Sequence, residues 1–170
     1  MLKRGLMLWG ALSLVVVIGF YAMLAYQLGR SPHGNVDADD RDVRFVLDWF
    51  GSDRDVELKQ SYRSSGSWSG DYTKAFALKL GEIDESEIAR RGGVTRGDRL
   101  SPVIQGAVGF VTDFIDSESV PWFPRKSGVL TREFYVYPVR MEHIGSYPDS
   151  VHIMLIHPTD GLVFYAAVKI

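Results

Sequence analysis

Twenty-three consecutive residues without a charge, Leu6 to Leu28, constrain this chain more than any other feature. At about 1.5 Å per residue, a helix of that length covers roughly 34 Å, enough to cross a hydrocarbon core of about 30 Å. Lys3 and Arg4 precede the stretch and Arg30 follows it. A cleaved signal peptide has a shorter apolar core and a small-x-small cleavage site. The nearest candidate here, Ala22-Met-Leu-Ala25, lacks that spacing. The stretch therefore reads as an uncleaved, single-pass signal anchor. Lys3, Arg4 and the terminal amine favour a cytoplasmic N-terminus, while Arg30, Arg41 and Arg44 weigh the other way. A short basic tail before a long domain is the usual form of an N-in anchor, which places the C-terminal domain in the periplasm or outside the cell.

The expected organisation is a tail over residues 1–5, a transmembrane helix over 6–28, a tether over 29–42 and a folded domain over 43–170. Gly19, Ala22 and Ala25 recur at a three-residue step, and such small-residue faces let membrane helices approach closely. Three bases and no acid fall in residues 1–30, so the 16 bases and 21 acids that follow leave the remainder at −5. A mildly acidic domain lacks the electrostatic footprint of a nucleic-acid binder. The chain has no cysteine, which excludes a disulfide framework, a thiol nucleophile and cysteine-ligated zinc.

Past the tether, Val43, Val46, Leu47 and Phe50 follow at helical spacing, with Asp40 or Asp42 as cap and Gly51 as stop. The period then becomes two. Val56 to Arg63 and Tyr72 to Leu80 alternate as the strands of a hairpin whose loop, SSGSWSGD, carries Trp68 near its tip. Asp84 to Arg91 reads as a short helix closed by Gly92-Gly93, and VTRGDRL as a polar link. Ser101 and Pro102 then start the longest soluble helix, whose apolar stripe runs through Ile115. Gly106 and Gly109 lower its helicity, and are expected to allow close packing on a sheet.

The last third is expected to hold a strand over Val129–Tyr137 ended by Pro138, a loop over Met141–Ser150, and a hairpin. Val151–His157 and Leu162–Val168 form that hairpin around the turn Pro158-Thr-Asp-Gly161. Together these elements predict an α+β domain. A mostly antiparallel sheet of about five strands packs one face against the long helix, with one or two short helices.

Chemistry is thin. Neither H-E-x-x-H, G-x-S-x-G nor G-x-x-x-x-G-K-[ST] occurs. His152 and His157 are five apart, on opposite faces of a strand. Asp113 and Asp116 share a helix face without a third ligand, so no metal or other cofactor is expected. The candidate partner-binding residues are Trp122, Phe123 and Arg125, in a loop stiffened by Pro121 and Pro124, together with Trp68. Rigid aromatics beside a base are typical binding hot spots. The sequence thus points to a non-enzymatic binding or assembly module of a cell envelope, held in a lipid bilayer and presenting an aromatic loop to a protein partner. The alternative is a small-ligand receptor or hydrolase-like enzyme with its site between the long helix and the sheet.

Overall fold

The computed structural model describes residues 36–51, 56–64, 67–144 and 147–170. The stretch 6–28, with Gly19, Ala22 and Ala25, lies outside these residues. Among the described residues no helix is long and apolar enough to cross a membrane.

The domain is α+β. Its first helix, α1 (Arg41–Phe50), is capped by the Asp40 carboxylate, which accepts from Asp42 N–H at 2.9 Å, and stops at Gly51 with φ +94°. Strands β1 (Glu57–Arg63) and β2 (Tyr72–Lys79) form the first hairpin, followed by α2 (Glu85–Arg90) and the two-residue β3 (Thr95–Arg96). The long helix α3 (Pro102–Ser117) starts at the Ser101 cap with proline in its first turn, where the missing N–H costs nothing. A single helical turn α4 (Lys126–Val129) leads into β4 (Tyr135–Ile144), β5 (Tyr147–His157) and β6 (Leu162–Lys169).

All six strands join one antiparallel sheet in the order β1-β2-β6-β5-β4-β3. The sixth strand is Thr95–Arg96, inside the segment that the sequence reads as a polar link. It pairs only with Tyr135 and Val136.

Helices cover both faces of the sheet, where a single covered face was expected. Against one face, α3 places Ala107, Val108, Val111 and Ile115 over Ala75, Ala77, Ile153, Leu155 and Ala166. The alanines of β2 and β6 let this helix sit low on the strands. On the other face, Val43, Val46 and Phe50 of α1 and Ile88 of α2 pack over Phe76, Leu78, Met154, Ile156, Val163 and Tyr165. Phe76 and Tyr165 stack there at 5.0 Å between ring centroids. Two-sided burial explains why β5 and β6 read as nearly continuous apolar runs.

Four further expectations change. Val129–Tyr137 is not one strand: residues 126–129 turn as a helix, and pairing begins at Tyr135. Tyr135 is paired with Ile156, and β5 ends one residue later at His157, so nothing remains for an earlier segment to pair with. Pro138 lies inside β4 instead of ending it. The register slips between Pro138 and Arg140, and β3 reaches only to Val136, so no neighbour requires the N–H that proline lacks. Much of the expected loop over 141–150 is therefore strand, continuing β4 and opening β5. Finally, neither glycine of α3 meets the sheet. Gly106 has open space around it, and Gly109 makes room for the Lys126 side chain.

Candidate functional site

The residues singled out by the sequence fall at three separate places. Phe123 is 5% exposed and belongs to the core beneath α3, edge to face with Phe164 at 6.0 Å. The proline-bracketed loop therefore points one ring inward and leaves its neighbour at the surface. Trp122 is half-buried. It walls an open groove of roughly 580 Å³ floored by Ala77, Leu162 and Phe164 and rimmed by Lys59, Lys79 and Asp160. Arg125 is exposed, but it looks into a different depression, between α3 and α4, where Asp113, Asp116 and Lys126 also lie.

Trp68 stands apart from both. It is 105% exposed, as open as in an extended chain, where a ring folded back over the sheet would have been covered. Its turn is nonetheless tightly built. Ser67 N–H donates to Asp71 O at 2.9 Å and Gly70 N–H to Ser67 O at 3.1 Å. The Ser67 hydroxyl donates to the Asp71 carboxylate at 2.9 Å and accepts from the N–H groups of Ser69 and Asp71, each at 3.1 Å. The Ser69 hydroxyl also bonds that carboxylate. The hydroxyls of Ser69 and Ser67 hold the Asp71 pKa below the ordinary carboxylate value. Gly70 takes φ +85°, a conformation in which a side chain would be strained.

The best-developed polar constellation was not anticipated. Between the start of α1 and the sheet, a cleft of roughly 500 Å³ is lined by Asp40, Asp42, Tyr72, Lys74, His152 and Tyr165, with Arg41 and Arg140 at its edge. Lys74 bridges Asp40 at 3.0 Å and also pairs with Asp42, and Arg63 pairs with Asp40 from β1. All three of Lys74, Asp40 and Asp42 have side chains below 20% exposed. His152 is held on both ring nitrogens, by the Tyr165 hydroxyl at 2.9 Å on Nδ1 and the Tyr72 hydroxyl at 3.1 Å on Nε2. Each ring nitrogen thus faces a tyrosine hydroxyl that can donate or accept, according to which nitrogen carries the proton. Ala167 is paired with Lys74 on one side and His152 on the other.

The electrostatics follow from this packing. Burial, then the Asp42 charge, push the Tyr165 pKa far above the usual phenol value. Burial lowers the His152 pKa, assisted by Arg140 and Lys74 and opposed by Asp42, so the imidazole is neutral at neutral pH. Burial alone would raise the Asp40 pKa, but the Asp42 N–H, Lys74 and Arg63 outweigh it and hold the carboxyl below 3.8. Both shifted groups bind protons less readily folded than unfolded, so both make stability fall as the pH is lowered. His152 contributes as pH drops below 6.5 towards its lowered folded value, and Asp40 below 3.8. Urea midpoints measured from pH 7 to pH 5 should therefore decline, and His152→Gln should flatten that decline; an unchanged slope would remove His152 as its source.

Asp40 and Asp42 are met by Lys74 of β2 and Arg63 of β1, so these ion pairs clamp the start of α1 onto the first hairpin. Only the strand parity hinted at it. Lys74 shares the face of Phe76 and Leu78, and a lysine on an apolar face needs a buried partner. Among the described residues no group of three His, Cys, Asp or Glu is placed to hold a metal ion. No family model, no curated protein and no solved structure matches the chain.

Proposed function

We propose that this chain is a single-pass, membrane-anchored binding or assembly module of a cell envelope. Residues 6–28 hold it in the bilayer with the N-terminus in the cytoplasm, and the α+β domain meets a protein partner outside. The observation that supports this reading is Trp122: a large ring, fixed on a proline-stiffened loop, walling an open and largely apolar groove. Such a groove accepts an apolar side chain of a partner, with Lys59, Lys79 and Asp160 forming a polar rim. Phe123 supports the surface from below, as the anchor of the loop in the core.

Two measurements test this. A reporter fused after Ile170 is active outside the cytoplasm if the anchor is N-in; activity confined to the cytoplasm overturns the topology. For the groove, a photo-crosslinking residue at Lys59 of the full-length protein in its own membrane should give a discrete protein adduct. Trp122→Ala should abolish that adduct while changing stability by no more than about 1 kcal/mol, since the ring is only half-buried. An adduct insensitive to Trp122→Ala, or no adduct, means that the groove is not the binding surface.

A further inference from the structure

We propose that this chain pairs with a second copy of itself along the free edge of β4, the two strands antiparallel and Met141 on the two-fold axis.

β3 covers only Tyr135 and Val136 of the ten-residue strand β4. Beyond Val136 that side of β4 meets no other strand, and among the described residues no turn, loop or cap bond ends there. The groups left open follow from the ladder. Ile170 N–H donates to Asp149 O at 3.0 Å, so the odd-numbered residues of β5 turn their N–H and C=O towards β6 and the even-numbered ones towards β4. Arg140 and Glu142 are paired with His152 and Ser150, and therefore bond inwards. Met141, between them, directs its N–H and C=O outwards. The usable edge is short. Pro138, which has no N–H, and the register shift before Arg140 end it on one side, and the turn into β5 ends it on the other.

The side chains decide what this edge accepts. Charges on an open strand usually serve to repel another strand. Here they are self-complementary. In an antiparallel pair about a two-fold axis, outward-facing residues must oppose one another. With Met141 opposite Met141, Arg140 of each copy stands opposite Glu142 of the other. A slide of two residues keeps the hydrogen-bond parity, but sets Arg140 against Arg140 in one direction and Glu142 against Glu142 in the other. Like charges directly opposed are destabilising, so the charge pattern selects a single register. Arg140 and Glu142 are exposed and pair with each other, Nε to Oε1 at 2.9 Å, so the second copy extends this pair to four alternating charges. Met141 packs from the other face against the core beneath α3, and two such side chains side by side continue that apolar layer. An unrelated strand would have to supply an acid and a base in the inverse order; a second copy does so by symmetry. β5 separates this edge from the strands that line the Trp122 groove, so pairing neither uses that groove nor depends on it.

The chain has no cysteine, so single-cysteine variants read the register directly. The full-length protein, purified in mild detergent at micromolar concentration, is oxidised with copper–phenanthroline. Met141→Cys should give a disulfide-linked dimer, because opposed residues of a bonded pair lie about 5.5 Å apart at Cα, within disulfide reach. His143→Cys should give several-fold less. His143 of one copy opposes Val139 of the other, leaving the two 143 positions four residues, about 14 Å, apart along the strands. Chance collision would order the yields the other way, since His143 is exposed and Met141 only half so. Adding Arg140→Glu to Met141→Cys should cut the yield several-fold, and adding Glu142→Arg as well should restore it, with circular dichroism confirming that each variant is folded. Sedimentation velocity of the unaltered chain should show a dimer; a monomer overturns the proposal. Equal yields from the two cysteine positions, or yields indifferent to the charge reversals, also overturn it, because any dimer then forms through another surface.

Discussion

Gly97→Ala is expected to prevent the domain from reaching its native state. A Cβ built on Gly97 would lie 2.0 Å from the Val129 carbonyl oxygen and 2.4 Å from that of Thr131. Both are backbone atoms, so no side-chain rotation relieves the overlap. Gly97 cannot withdraw either, because its N–H donates to Phe134 O at 2.8 Å in the segment that leads into β4. Inserting one methyl group into a packed core usually costs about 1–3 kcal/mol. Here the loop after α4 would have to separate from the β3 turn, and the cost approaches the roughly 5–15 kcal/mol that stabilises a whole domain. Circular dichroism with gel filtration should show an expanded or aggregated chain. The matched control is Gly106→Ala in α3, where the added methyl meets nothing, and which should raise stability by about 0.5–1 kcal/mol. A folded Gly97→Ala domain of wild-type stability would mean that the close approach of these two segments is not required.

Lys74→Met carries the second large effect, a loss of about 3 kcal/mol. The ammonium is the partner shared by Asp40 and Asp42, all three largely out of water. Removing one member of a buried ion cluster leaves charge without compensation and costs about 3–5 kcal/mol. The low end applies because Arg63 remains on Asp40. Methionine keeps the packing of the lysine stem, so the loss reports charge rather than volume. Adding Asp42→Asn should restore part of the stability, since it removes the carboxylate that lysine had matched. Chemical denaturation of the two single variants and the double variant gives the coupling directly. Strict additivity would show that the clamp over the cleft does not couple these residues.

These two predictions also mark how far the sequence could be read. Gly97 falls in the polar link and Gly106 inside the long helix, but neither setting shows in sequence what an added methyl group would meet. Only the approach of residues 129–131, distant along the chain, distinguishes them. Lys74 was visible as a base on an apolar strand face, but its two acids come from the residues that cap and open α1. Asp40 was legible as a helix cap from local pattern; its second role in the cleft depends on where α1 lands. The same holds for His152, which the sequence offered as a histidine in an apolar strand. Tyr72 and Tyr165 reach its two nitrogens only because β2, β6 and β5 are neighbours in the sheet.

Where the physics is local, sequence alone was sufficient. It determined α1 with its Gly51 stop and a cap at Asp40 or Asp42, the Ser101-Pro102 start of α3, the existence of the β1–β2 hairpin, and the Pro158–Gly161 turn between β5 and β6. Each depends on side-chain periodicity or on the φ preferences of a few adjacent residues. The strict alternation expected of β1 is broken by a register shift between Leu58 and Gln60, which puts Leu58 and Tyr62 in different core clusters. What the tertiary structure decided is non-local: that helices cover both faces, that Thr95–Arg96 pairs, that pairing in β4 starts at Tyr135 and runs through Pro138, and that Phe123 turns in while Trp122 stays out. The apolar runs of β5 and β6 agree with two covered faces, but that α1 and α2 cover the second face depends on packing between segments far apart in the chain. Strand limits likewise depend on the partner available, since a β-strand, unlike a helix, closes none of its ladder hydrogen bonds within itself.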